Sequence, residues 1–186
     1  MSKPSDLKSG NFIRFNGELL TVVECQHRTP GNLRAFYQAK MRNVKTGKLV
    51  EYRFRADEDV TIARVEVKEY QYLYPEGESF VCMDNETFDQ INIDKTLFGD
   101  AAKFLKEGMQ VQISFESEEP LGAEAPNHVE LEITYTEPGV KGDTVNNVMK
   151  NATLETGAEI KVPLFVNTGE KIKIDTRTGA YVERVK

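Results

Sequence analysis

The feature that most restricts the fold is a recurrence of short alternating apolar runs, each closed by a glycine-bearing turn. Phe12-Ile13-Arg14-Phe15, then Asn16-Gly17, then Leu19 to Val23 reads as a hairpin on the Asn-Gly pair that two-residue loops favour. Ala35 to Val44 and Leu49 to Arg55 flank Lys45-Thr46-Gly47-Lys48. Tyr70 to Tyr74 and Ser79 to Met83 flank Pro75-Glu76-Gly77, and Met109 to Glu116 alternates as a further strand. From His128 the pattern runs through Val129, Leu131, Ile133 and Tyr135. It returns in Glu159 to Val166, Lys171 to Asp175 and Tyr181 to Val185, with turns at Thr168-Gly169 and Thr178-Gly179. One stretch reads as helix, Asp100 to Glu107 ended by Gly108. Glu118 to Pro126 reads as a loop and then a link. The chain is therefore expected to be all-β.

Charge divides it further. Residues 1–64 hold 12 Lys and Arg against 7 Asp and Glu, residues 65–127 hold 4 against 14, and residues 128–186 hold 8 against 9. The switch near Ala63-Arg64 predicts a boundary, giving units at 1–64, 65–127 and 128–186. Units this small can build only marginal cores of their own. The second and third fit five-stranded OB-like barrels, although no internal repeat is firm enough to use. A net charge of −6 argues against a generic nucleic-acid binder. The asymmetry instead suggests a basic end that meets phosphate and an acidic middle that does not. No apolar run reaches the ~20 residues a membrane span needs, and Met1 to Lys8 lacks the apolar region of a secretory signal. A cytoplasmic protein without membrane contact is expected. Cys25 and Cys82 stand alone, as buried residues in a reducing compartment rather than a disulfide or metal framework.

Two places could carry chemistry. If Thr46-Gly47 are the two turn residues, Met41 faces Tyr52 and Ala39 faces Phe54 on an apolar side. On the other side Arg42 faces Glu51 and Lys40 faces Arg53, with Arg55 nearby. Like charges directly opposite destabilise a sheet, so such a face reads as presenting Lys40, Arg42, Arg53 and Arg55 to phosphate. Periodicity alone is equally consistent with a solvated polar face. The second place is His27-Arg28-Thr29-Pro30-Gly31-Asn32-Leu33-Arg34, where Pro followed by Gly has a type II turn pattern. It predicts a protruding tip with Arg28 and Arg34 at its neck, and turn chemistry does not separate this from an ordinary surface turn. No Walker loop, Gly-x-Gly-x-x-Gly, Gly-x-Ser-x-Gly or His-Glu-x-x-His occurs. Glu116-Ser-Glu-Glu119 lacks the spacing of a calcium loop and reads as solvated. No metal, cofactor or small-molecule substrate is implied, and no enzymatic activity.

The third unit carries Lys150-x-Ala152-x₄-Gly157-x₂-Ile160-x-Val162-Pro163-x-Phe165-Val166-x₂-Gly169. With Pro138 to Thr144, Asp175-Thr-Arg-Thr-Gly179, Asp84-Asn-Glu-Thr-Phe88, Gly99-Asp-Ala-Ala-Lys103 and Pro30-Gly31…Ala35-Phe36, it resembles the bacterial elongation factor P family over the whole chain. The resemblance implies an SH3/KOW-like N-terminal barrel followed by two OB-fold barrels, in an L-shaped outline like that of transfer RNA. It implies a monomer that binds the ribosome, rRNA and ribosomal proteins alike, between the peptidyl and exit sites. There it would promote peptide-bond formation on peptidyl-site tRNA stalled at consecutive prolines. The tip residues would be Arg28, Pro30, Gly31, Asn32 and Arg34. Gly142, Asp143 and Thr144 match a family motif near the exit-site codon, and Tyr181 and Arg184 are further candidates for RNA contact. The tip departs from the family. Many members carry there a Lys, others an Arg, that a dedicated enzyme extends, whereas here Asn32 stands in that place and offers no amine or guanidinium. An unmodified tip is expected, with Arg34 as a compensating cation. The elongation factor P-like paralogue remains an alternative, and a general OB-fold RNA-binding protein is the reading from another class.

Overall fold

A computed structural model describes residues 2–31, 34–139 and 148–185. Among these residues the protein is all-β, with fifteen strands in three five-stranded sheets. The first sheet uses β1 (Phe12–Phe15), β2 (Glu18–Arg28), β3 (Phe36–Asn43), β4 (Leu49–Arg55) and β5 (Thr61–Ala63), in the order β4-β3-β2-β1-β5. The second uses β6 (Glu66–Glu76), β7 (Ser79–Asp84), β8 (Gln90–Asp94), β9 (Gln110–Glu116) and β10 (Glu119–Glu124), in the order β10-β9-β6-β7-β8. The third uses β11 (His128–Thr136), β12 (Met149–Leu154), β13 (Glu159–Pro163), β14 (Lys171–Asp175) and β15 (Ala180–Arg184), in the order β13-β12-β11-β14-β15. In both later sheets the opening strand lies in the centre, with its next two strands on one side and its last two on the other. The repeat that sequence could not establish is thus present as topology. No helix among the described residues is long and apolar enough to cross a membrane.

Each sheet curls because its longest strand bulges. The register slips at Val23 in β2, Leu73 in β6 and Thr134 in β11, and a bulge sharpens local twist and bends the strand. Alternation then lines the inside of each curl. Ile13, Leu20, Val22, Ala39, Met41, Phe54 and Val60 fill the first core. Tyr72, Phe80, Ile93, Phe98, Val111 and Ile113 are buried in the second. Leu131, Ile133, Leu154, Val162, Ile172 and Ile174 are buried in the third. The Asn16-Gly17 turn forms as expected, with both residues at positive φ between the paired Phe15 and Glu18.

Several local expectations change. Glu119 to Glu124, read as loop, is a strand, because Ser117 and Glu118 both adopt positive φ and close a two-residue hairpin from β9. Glu116 is not solvated; its carboxylate takes a two-point ion pair from the Arg14 guanidinium. The expected helix at 100–107 is a 3-10 segment spanning Lys95–Phe104, opened by Asp94 accepting from the Thr96 N–H at 2.8 Å. Gly99, at φ 58 and ψ −142, breaks it in the middle. The break has a packing cause. Phe98 packs on Phe80 of the second sheet, while Phe104 is buried in the core of the third. One straight helix this short cannot serve both.

The chain forms two compact units, residues 1–67 with 114–122, and residues 68–113 with 123–186. In the second unit Gly179 seats Phe104, for a Cβ there would lie 3.3 Å from its ring. Lys106 also pairs with Glu155 at 2.8 Å, and Thr176 donates to the Pro126 carbonyl at 2.5 Å.

Candidate nucleic-acid interface

The outer face of β2-β3-β4 is organised by cross-strand rungs. The β3–β4 register differs by two residues from the expected one. Lys40 pairs with Glu51, not Arg53, and Arg42 pairs with Leu49, not Glu51. Asn43 is the physical reason. It is 6% exposed, and its Oδ1 accepts from the N–H groups of Lys45 and Thr46, both at 2.9 Å. Its N–H donates to the Lys48 carbonyl, and its carbonyl accepts from Gly47, which sits at φ 68. The loop therefore holds Val44 to Gly47 rather than Thr46-Gly47 alone. A shift of two preserves which side chains share a face, so the expected cations remain together. The opposed like charges that first marked the face do not occur.

Reading across β2, β3 and β4 toward the tip, the rungs are Glu24-Lys40-Glu51, then Gln26-Gln38-Arg53, then Arg28-Phe36-Arg55. Positive charge therefore rises toward the tip. Lys40 lies between two carboxylates, whereas Arg28 and Arg55 flank an aromatic ring. The polar groups are also pre-set. Arg28 donates to Gln26 at 2.9 Å, and Gln26 donates to Glu24. Arg53 Nε donates to Gln38 at 3.1 Å, and its guanidinium sits 5.1 Å from the Phe36 ring centroid. A shallow groove of about 370 Å³ runs among Glu24, Gln26, Arg28, Gln38, Lys40, Glu51 and Arg53. Arg42 is exposed one rung further from the tip, opposite Thr21 and Leu49. Beyond the last rung, residues 29–35 join β2 to β3. Pro30 is half-buried, Gly31 has φ 33, and Arg34 is exposed. Asn32 lies outside the described residues. His27 stacks on Tyr37 with centroids 4.7 Å apart.

A second cluster forms on the third sheet. Arg184 donates to Glu170 at 3.3 Å and lies 5.0 Å from the Phe165 ring centroid. Phe165 in turn meets Tyr181 edge-on at 6.5 Å. Tyr181 and Arg184 are thus brought together, by an aromatic residue that sequence reading treated only as part of a motif. The same holds for Phe36 in the first cluster, whose pairing with Arg28 across β2 and β3 follows only from the structure. Gly142, Asp143 and Thr144 lie outside the described residues.

The described residues of these clusters offer donors, cations and rings. No group of three or more His, Cys, Asp and Glu side chains among them is placed to hold a metal. Burial pushes the Cys82 thiol up to about 11 and raises that of Cys25, leaving both short of thiolate at neutral pH.

Comparison with known proteins bears on the whole length. The elongation factor P KOW-like domain matches residues 3–60, the elongation factor P OB domain residues 65–123, and the elongation factor P C-terminal domain residues 129–184. The chain is 50% identical to elongation factor P of Chloroherpeton thalassium over 100% of both proteins. It is 51% identical to that of Chloroflexus aggregans over 97% of both. Among solved structures, eukaryotic translation initiation factor 5A from Methanococcus jannaschii shares the fold at a TM-score of 0.53 and 16% identity, over 67% of this chain and 90% of that one. A translation initiation factor eif-5a family protein from Naegleria fowleri does so at 0.54 and 15%, over 67% and 94%. With its fold, its domain matches and its full-length relatives in agreement, the chain belongs to the elongation factor P family of translation elongation factors.

Proposed function

We propose that the protein binds the ribosome between the peptidyl and exit sites and promotes peptide-bond formation on peptidyl-tRNA stalled at consecutive prolines. The observation that carries this reading is the unbroken match to elongation factor P over the full length of its relatives. In this reading residues 1–64 form the tip-bearing domain, residues 65–127 the central one and residues 128–186 the C-terminal one, and the protein works in the cytoplasm. The rise of positive charge from Lys40 toward Arg28 and Arg55 supports a tip that approaches nucleic-acid phosphate.

The chemistry needed is positional. Proline fixes its own φ, which restricts the nucleophile and leaves alignment of the reactants limiting. A factor that holds the tRNA end lowers that barrier without contributing an acid, base or nucleophile, and the rRNA remains the catalyst. Asn32 gives the tip a short neutral side chain, so cationic contacts fall to Arg28 and Arg34. Reconstituted translation of a three-proline reporter tests this, using recombinant protein made without any modifying enzyme. Full-length product should rise when the protein is added, with a proline-free reporter unchanged. No rise on the proline reporter would overturn the reading.

A further inference from the structure

The turn between β7 and β8 displays an aromatic ring in a conformation that its backbone resists. Phe88 is 68% exposed and has φ 63. Left-handed backbone is uncommon for any side chain and an outlier for a bulky one. The surrounding bonds impose it. Asp84, 6% exposed, accepts from the Glu86 N–H at 2.7 Å and the Thr87 N–H at 3.2 Å. Its carbonyl accepts from the Phe88 N–H at 3.0 Å, and its own N–H donates to the Asp89 carbonyl at 2.9 Å. Asn85 ties the turn to the sheet through the Glu69 carbonyl and through Gln110 at 2.6 Å. Such over-determined strain is typical of places where a protein holds a group ready for use.

The electrostatic setting selects what that group meets. Glu86 and Asp89 flank the ring on the exposed turn, with Asp84 and Glu69 beside them and Lys68 as the nearby cation. Residues 65–127 carry 4 Lys and Arg against 14 Asp and Glu. A phosphodiester backbone is repelled here, whereas a surface of Lys and Arg is attracted. Exposed aromatic residues in fixed positions, rimmed by complementary charge, are what protein interfaces use as anchors.

We infer that Phe88 anchors a basic protein surface, its ring filling an apolar pocket while Glu86 and Asp89 meet the surrounding Lys and Arg. The inference rests on the ribosomal reading and sharpens it: the acidic middle of the chain meets a ribosomal protein, not rRNA. Two variants separate anchoring from folding. Phe88→Gly removes both ring and strain, and Phe88→Asn keeps a residue that tolerates left-handed backbone.

Co-sedimentation with vacant ribosomes should show both variants binding roughly 10- to 30-fold more weakly than wild type. Phe88→Tyr should bind within about threefold, because it keeps the ring. Thermal melting should rise by about 2–8 °C for Phe88→Gly and by less for Phe88→Asn. A benzophenone side chain at position 88 should cross-link to a basic ribosomal protein. Unchanged affinity of the Gly and Asn variants, or a cross-link to rRNA, overturns the inference and leaves the ribosomal reading standing. Failure of the wild-type protein to sediment with ribosomes overturns both.

Discussion

At the scale of single residues, family motifs here turn out to encode turns. Asp175-Thr-Arg-Thr-Gly179 is an example. Asp175 accepts from the Arg177 backbone N–H at 2.9 Å and from its guanidinium at 3.1 and 2.8 Å, while its carbonyl takes the Gly179 N–H. The Arg177 guanidinium holds the Asp175 carboxyl down to about 2. An unfolded Asp titrates at about 3.9, so the folded state binds fewer protons between these values. Its stabilisation is complete above about pH 4 and is lost as pH falls through about 2. Asp175→Asn should therefore be less stable than wild type at pH 7, and the gap should close on acidification. Urea unfolding of both proteins at pH 7 and at about pH 2 would show a constant gap if the carboxylate had no such role. The motif was legible as a family mark. Its turn was legible too, at Thr178-Gly179, but its packing was not, because nothing in the sequence gives the contact that Gly179 makes with Phe104.

At the scale of elements, alternation with period two located most strands. It could not set their partners. The β3–β4 ladder shows why: register followed from Asn43, a nearly buried side chain that satisfies two loop N–H groups and lengthens the loop. The pattern Thr-Gly between two strands suggested a tighter turn. The side of the sheet was legible because a two-residue shift keeps it, and so the cationic face survived the correction. Its internal grading did not, since Lys40 lies between Glu24 and Glu51 while Arg53 and Arg55 lie beside Phe36. This divides the candidates for RNA contact. Lys40→Gln should change ribosome affinity by less than about twofold and leave its salt dependence alone. Loss of one phosphate contact lowers the slope of log affinity on log salt by about 0.7–0.9. Arg53→Gln and Arg55→Gln should each show that loss in binding titrated from low to high salt. Equal effects at all three positions would mean that the grading has no consequence.

At the scale of the whole molecule, the sequence announced three strand-rich units, and the contacts join residues 68–113, most of the second sheet, with residues 123–186 in one compact body. No periodicity could have shown this, because the joint is made by a few side chains, Phe104 above all, from segments far apart in the sequence. Phe104 leaves the 3-10 segment that follows β8 and is 1% exposed inside the core of the third sheet. Lys106 and Glu155 pair beside it, and Glu155 also accepts from the Glu132 N–H at 3.0 Å. Small sheets have thin cores, so a large side chain that leaves the segment after β8 and is buried in the third core couples their stabilities. Replacing a buried Phe by Ala typically costs about 3–5 kcal/mol. Phe104→Ala should consequently weaken the second and third sheets together. Amide hydrogen exchange reads each sheet separately. Protection at Ile93 and Ile113 should fall along with that at Ile133 and Ile172, while Ile13 and Met41 in the other unit keep theirs. Loss confined to Ile133 and Ile172 would show instead that the second sheet stands without its neighbour, and that the ring serves the third core alone.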